Sequence, residues 1–329
     1  MTSKILPFIL LSTLSFGQAS GPLHLERQIE LPGVEGRIDH LAVDVANGRL
    51  YVSALGNNTV EILDIRQGQR VGEIKGLKAP QGVLYDATTN RIFVASDGDG
   101  TLQSFDGNSL SHLKTAELGD DADNLRYEAT KKLVWVGYGS GGLASFDADL
   151  NRVANIKLPA HPESFQLEPD GTRLFVNIPG RLKVSVIDRG NNSITANWHL
   201  GGELSNFPMA LDVANQRLFV GCRIPARMLI MDINSGKVVA KVPIVGDTDD
   251  LFFDAARHLV YVIGGEGAVD VFHQSGPDQY EQVAKVATAA GARTGLFVPA
   301  MSELFVAAPH RGARPARILV YRLEATPSM

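Results

Sequence analysis

The sequence predicts an all-β fold: a seven-bladed β-propeller with four antiparallel strands per blade, its last blade closed by an N-terminal strand. Three observations predict it. An aromatic–valine pair recurs seven times at near-constant spacing, a four-strand pattern surrounds the copies, and the final copy lacks one strand that an unassigned N-terminal segment can supply.

The pairs are Tyr51-Val52, Phe93-Val94, Trp135-Val136, Phe175-Val176, Phe219-Val220, Tyr261-Val262 and Phe305-Val306, with successive gaps of 42, 42, 40, 44, 42 and 44 residues. Helical repeats share such periods, so local pattern decides. Short β-branched and aromatic runs bounded by Gly, Asn and Asp read as strands. Upstream of each pair lies an inner strand, around Leu41, Val83, Leu125, Phe165, Met209, Leu251 and Leu296. Downstream lies a third strand, as at residues 60–63, 102–105, 184–187, 229–231 and 318–321. Asp64, Asp106, Asp147, Asp188 and Asp232 close five of these, where a carboxylate turns the chain by accepting backbone N–H groups. A fourth strand follows, as at residues 71–74, 153–156 and 238–242. Four strands per ~42 residues, seven times over, describe propeller blades. The seventh repeat ends near Leu323 without its fourth strand, and residues 25–31 are expected to complete it. Such closure removes exposed strand edges.

Composition sets the outer limits. The 329 residues would suggest about two domains by length alone, but the repeat absorbs them into one. Residues 1–20 read as a signal peptide and residues 21–329 as a single propeller domain. Lys4 precedes an apolar run from Ile5 to Phe16, and Gly17-Gln18-Ala19 offers small residues for cleavage. The run is shorter than the ~20 residues of a membrane span, so a periplasmic or secreted protein is expected. One cysteine excludes an internal disulfide, a cysteine-only metal cluster and c-type haem attachment. No nucleotide loop is indicated, because the Gly-rich segment Tyr138-Gly139-Ser140-Gly141-Gly142 lacks a Lys-Ser/Thr pair and a following helix. Without Lys4 the chain carries 30 basic and 36 acidic residues, which opposes nucleic-acid binding. A monomer is expected.

The segments Tyr51-Val52-Ser53-Ala54 and Phe175-Val176-Asn177-Ile178 resemble the YVTN-type repeats of bacterial surface and exported propellers, and the similarity spans residues 23–324. The chain is also similar to stand-alone exported propellers without an assigned activity. These carry runs such as Asp39-His40, Gly119-Asp120-Asp121-Ala122-Asp123-Asn124 and His161-Pro162-Glu163-Ser164. The resemblance implies the fold and leaves the function to be read from the site.

Loops before the anchor strands are short polar hairpins and suggest no site. The opposite, top face differs. Twelve residues before each anchor stand Asp39, Gln81, Asp123, Glu163, Phe207, Asp249 and Arg293, where each inner strand begins at the channel mouth. The next residues include His40, Asn124 and Asp250. Four carboxylates in one ring should repel, raise some pKa values or recruit a cation. Asp39, Asp123, Glu163 and Asp249 are the expected metal ligands. Oxygen donors suit Ca²⁺ or Mg²⁺, and His40 would admit Zn²⁺. A solvated acidic channel would give the same composition.

Loops after the anchors add Tyr138, Arg223, His310 and Arg311 to this face. The expected ligand-binding set is therefore Asp39, His40, Gln81, Asp123, Asn124, Tyr138, Glu163, Arg223, Asp250, Arg293, His310 and Arg311. Cys222, after an apolar strand, is expected to be buried and inert. Two functions follow: a propeller binding a small molecule, glycan or protein at its top face, or a metal-dependent hydrolase or lyase similar in architecture to lactonases. In the second, His40 and His161 are the acid–base candidates and Arg293 or Arg223 holds an anionic part.

Overall fold

The computed structural model describes residues 21–324; the expected signal peptide lies outside the described residues. The described chain forms 28 strands in seven four-stranded antiparallel sheets, with three single 3₁₀ turns. The inner strands are Leu41–Asp44, Pro80–Asp86, Ala122–Glu128, Phe165–Leu167, Leu204–Asp212, Thr248–Asp254 and Gly295–Val298. The strand after each carries the aromatic–valine pair, as in Arg49–Ala54 and Arg91–Ser96.

Why the pair recurs follows from the pleat. Adjacent residues on a strand face opposite sides of the sheet, so each pair serves two neighbouring interfaces. The core between blades one and two holds Tyr51 with Val94, and that between two and three holds Phe93 with Val136. Trp135 meets Val176, Phe175 meets Val220, Phe219 meets Val262, and Tyr261 meets Val306. Phe305 returns to Val52 and closes the circle. All fourteen side chains are buried. The repeat is thus a packing rule: the aromatic of each blade fills the space against the valine of the next.

The strand Leu23–Leu31 pairs antiparallel with Ala316–Leu323, from Leu23 opposite Leu323 to Leu31 opposite Ala316. Blade seven is thereby built from both ends of the chain, as the missing strand required. The turn aspartates also act as expected. Asp106 Oδ1 accepts the backbone N–H groups of Asn108 and Ser109, and Asp232 Oδ1 those of Asn234 and Ser235. These bonds hold both carboxyls below the usual carboxylate range.

The face of short hairpins carries a latch that repeats in several blades. Arg49 donates to Gly107 O at 2.9 Å and Arg91 to Ala148 O; Arg173 reaches Ile233 O and Arg217 Nε reaches Asp278 Oδ1 at 2.6 Å. Each arginine sits two residues before its aromatic anchor and holds a turn of the following blade.

Candidate functional site

Inner strands converge toward the axis, so whatever stands at their starts must meet. Gly82 permits the closest approach: a Cβ there would lie 2.1 Å from Asp123 O. Backbone bonds from His40 N to Gln81 O and from Asp250 N to Arg293 O tie neighbouring starts together. All seven ring positions, Asp39, Gln81, Asp123, Glu163, Phe207, Asp249 and Arg293, consequently line one bowl of about 260 Å³. Arg37, His40, Asp97, Asp121, His161 and Arg223 complete its wall. Phe207 is the single apolar residue in that lining, and the Arg223 guanidinium stacks on it with Cζ 3.8 Å from the ring centroid.

The bowl is divided by charge. On one side arginines hold carboxylates: Arg37 Nη2 lies 2.7 Å from Asp39 Oδ2, Arg223 Nη2 lies 2.8 Å from Asp249 Oδ1, and Arg293 Nη1 lies 3.0 Å from Asp247 Oδ1. Arg223 also donates from Nε to Thr248 O. On the other side Asp123, His161 and Glu163 each present one ligand atom, and these atoms lie within 4.8 Å of one another. His161 Nδ1 is 2.7 Å from Gly139 O and 3.3 Å from Asp121 Oδ2. A carbonyl only accepts, so Nδ1 carries the proton and the lone pair of neutral His161 is on Nε2. A histidine that ligates a metal is oriented in this way by its other ring nitrogen.

Asp123 is 95% buried: its Oδ2 accepts from Asn124 Nδ2 at 3.1 Å, while its Oδ1 has no hydrogen-bond partner among the described residues. Burial first, and then nearby carboxylates, push these acids upward: Asp123 to about 6, Asp249 to about 7 and Glu163 to about 9. Asp39 is raised as well, by burial above all.

Two of the four expected metal ligands lie in this cluster and two in ion pairs. Asp123 and Glu163 face the triad, whereas Asp39 and Asp249 are engaged by Arg37 and Arg223. His161, expected as an acid–base group, stands beside Asp123 and Glu163, and together the three could hold a metal ion. Two carboxylates with one imidazole favour Zn²⁺ or another first-row ion over Ca²⁺ or Mg²⁺.

The remaining expected residues fall in different places. His40 lies between bowl and axial channel, its side chain 16% exposed. Asp250 faces the channel beneath, where it accepts from Gly295 N and sits 3.4 Å from His40 Nδ1. Asn124 is buried behind Asp123. His310 and Arg311 line a neighbouring cavity of about 200 Å³ that shares Arg37 and Arg293 with the bowl. Tyr138 lines neither: it pairs with Gly142 across its hairpin, and its hydroxyl donates to Asn155 Oδ1 on the blade's outer strand. The sequence reading missed Arg37, whose only signal was its position two residues before Asp39. Further along the inner strands the channel widens to about 310 Å³ between mainly apolar walls, including Leu41, Val83, Leu125 and Met209.

No family model matches the chain, and no curated protein matches it. Solved structures do. A chain of Kuenenia stuttgartiensis hydrazine synthase is similar with a TM-score of 0.73 at 15% identity, covering 84% of this chain and 95% of that one. A chain of a mitotic checkpoint complex gives 0.78 at 13% identity, covering 99% and 100%. The WD40 repeats of RRP9 give 0.79 at 10% identity, covering 93% and 99%. The likeness is of fold. No helix among the described residues is long and apolar enough to cross a membrane.

Proposed function

We propose that this chain is an exported propeller of the YVTN-repeat type whose bowl binds a small polar ligand around a divalent cation held by Asp123, His161 and Glu163. One observation carries the reading: three ligand atoms from two adjacent blades lie within 4.8 Å of one another, in a bowl whose lining is polar except for Phe207. A volume of about 260 Å³ suits a cation with a few-carbon, oxygen-bearing molecule rather than an extended apolar one. The forced Nδ1 proton of His161 and the unpartnered Asp123 Oδ1 support the same reading.

The test is metal titration of the purified, chelator-treated protein, followed by calorimetry and thermal unfolding. Zn²⁺ or Mn²⁺ is expected to bind at one site and raise Tm, with Ca²⁺ and Mg²⁺ weaker. Glu163→Gln and His161→Ala are each expected to weaken binding at least tenfold. Absence of saturable binding by any of the four ions overturns the reading. A hydrolase of lactonase type would use the same triad. A lactone and ester panel on the metal-loaded protein separates the two: turnover lost in Glu163→Gln assigns an enzyme, and its absence leaves a binding protein.

A further inference from the structure

Beside the bowl lies a second concavity built from the opposite kind of charge. Its volume is about 200 Å³, and its polar side chains are Arg37, Arg293, Arg311 and His310; no carboxylate lines it among the described residues. We propose that it is a binding site for a small oxyanion, carboxylate or phosphate. The site is distinct from the cation triad and abuts the bowl through two shared arginines.

The accounting of partners points to this ligand. Arg37 is held by Asp39, Arg293 by Asp247 and His310 Nδ1 by Glu35 Oε2 at 2.8 Å. Those carboxylates engage one nitrogen of each cation and leave further donors of the two guanidinium forks free. Arg311 has no carboxylate partner among the described residues; its backbone is fixed instead, by reciprocal bonds with Arg314. A cavity walled by three guanidinium groups, one of them uncompensated, attracts an anion and offers it bidentate donors.

The local backbone is shaped to bring these groups together. Gly291 has φ of +82°, a conformation that favours glycine, and its bare Cα leaves room for the Arg311 guanidinium to rest against the loop. Gly56 packs so tightly that its Cβ would lie 2.7 Å from Arg37 N, while its own N–H donates to Arg37 O at 2.9 Å. Arg37 is thus aimed by backbone contact as well as by Asp39. Because Arg37 and Arg293 wall both cavities, an anionic group seated here sits beside whatever the bowl holds. The ligand class that follows is a small molecule carrying a carboxylate or phosphate at one end and oxygen donors at the other.

The experiment is calorimetric titration of the full chain with inorganic phosphate and, separately, acetate, ionic strength being held constant with sodium chloride. One saturable site is expected for at least one of the two anions. Arg311→Gln, a change on an exposed loop, is expected to weaken binding at least tenfold while leaving Tm within about 2 °C, an ordinary surface effect. Arg181→Gln, an exposed arginine of the same face of another blade, is expected to change nothing. Glu163→Gln is expected to leave anion affinity intact, so loss of the cation reading and loss of this one are distinguishable. Absence of saturable binding by both anions overturns the proposal, and so does binding that Arg311→Gln leaves unchanged. Stronger phosphate than acetate binding assigns a phosphate ligand; the reverse assigns a carboxylate.

Discussion

His40 Nδ1 lies 3.4 Å from Asp250 Oδ2, and on the other edge of the same ring Nε2 lies 3.8 Å from Asp123 Oδ1. One imidazole therefore joins the acidic bowl to the channel beneath it. Burial acts to strip its proton, but Asp250, Asp39 and Asp123 outweigh burial and push it up to about 10. These carboxylates favour the imidazolium form of His40, the acid–base candidate of the sequence, and that form supplies a countercharge to the bowl.

Stability should fall as pH rises. His40 is raised above its ordinary 6.5, so its contribution is complete below that value and is lost as pH climbs toward about 10. The raised acids act in the same direction. Asp123, Asp249 and Glu163 hold protons in the folded state that the unfolded chain has released, over windows from about 4 up to about 6, 7 and 9. Metal-free protein is expected to melt higher at pH 5 than at pH 8.5. Glu163→Gln, which removes the cost of protonating a buried acid on folding, should raise Tm at pH 8 by about 2–5 °C and flatten the profile. A Tm that increases from pH 5 to pH 8.5 would contradict this account of the bowl.

Ring closure should dominate the stability of the whole molecule. Ile29 and Leu31 are fully buried against Ile318, Val320 and the anchor Phe305. Ile29→Ala is expected to cost about 2–5 kcal/mol, the usual range for a large core deletion. Deleting residues 21–31 exposes the edge of Ala316–Leu323 as well and should lower Tm far more, or leave the protein aggregated. An unchanged melting curve for the deletion would sink the closure argument.

How much of this was legible in the sequence depends on the range of the interaction. The twelve-residue offset from anchor to inner-strand start fixed the register, because a one-residue slip would have turned Asp39 and its counterparts out of the bowl. The anchor pairs were legible because the pleat makes adjacent residues serve adjacent interfaces. The ion pairing was not legible. Arg223 and Asp249 stand 26 positions apart, on different blades, and nothing in either local pattern states that they meet. The latches from Arg49, Arg91, Arg173 and Arg217 repeat visibly, yet each partner lies about 60 positions ahead in a loop of ordinary composition. Tyr138 stands outside both cavities for a local reason: the bare Gly142 opposite it leaves room for the ring to lie along the blade.

Cys222 should be chemically silent. It is fully buried, and burial, with Glu203 nearby, pushes its thiol up to about 12. Arg223, its neighbour in sequence, is committed to Asp249 and Thr248 rather than to the thiol. A thiol reagent at pH 8 is expected to give no labelling of the native protein and one equivalent after denaturation. Fast native labelling would place the thiol at the surface and contradict the packing of blade five.

The last prediction concerns a buried ion pair far from the bowl. Arg189 Nη1 lies 2.8 Å from Glu128 Oε1, and both side chains are at least 96% buried. Glu128 also accepts from Trp135 Nε1 at 2.8 Å, while Arg189 donates to the carbonyls of Glu168 and Gly171. The pair joins blade three to blade four inside a buried hydrogen-bond network, so removing one partner strands the other. Glu128→Gln leaves a guanidinium buried without its countercharge, at an expected cost of about 3–5 kcal/mol, or roughly 6–15 °C in Tm. Replacing both residues with leucine removes the stranded charge and should cost less than the single change. A double variant as unstable as the sum of its singles would mean that the two groups act independently, with Arg189 serving the carbonyls of its own blade and Glu128 serving Trp135. A cost well below the sum, measured in a double-mutant cycle, assigns the coupling to the pair itself.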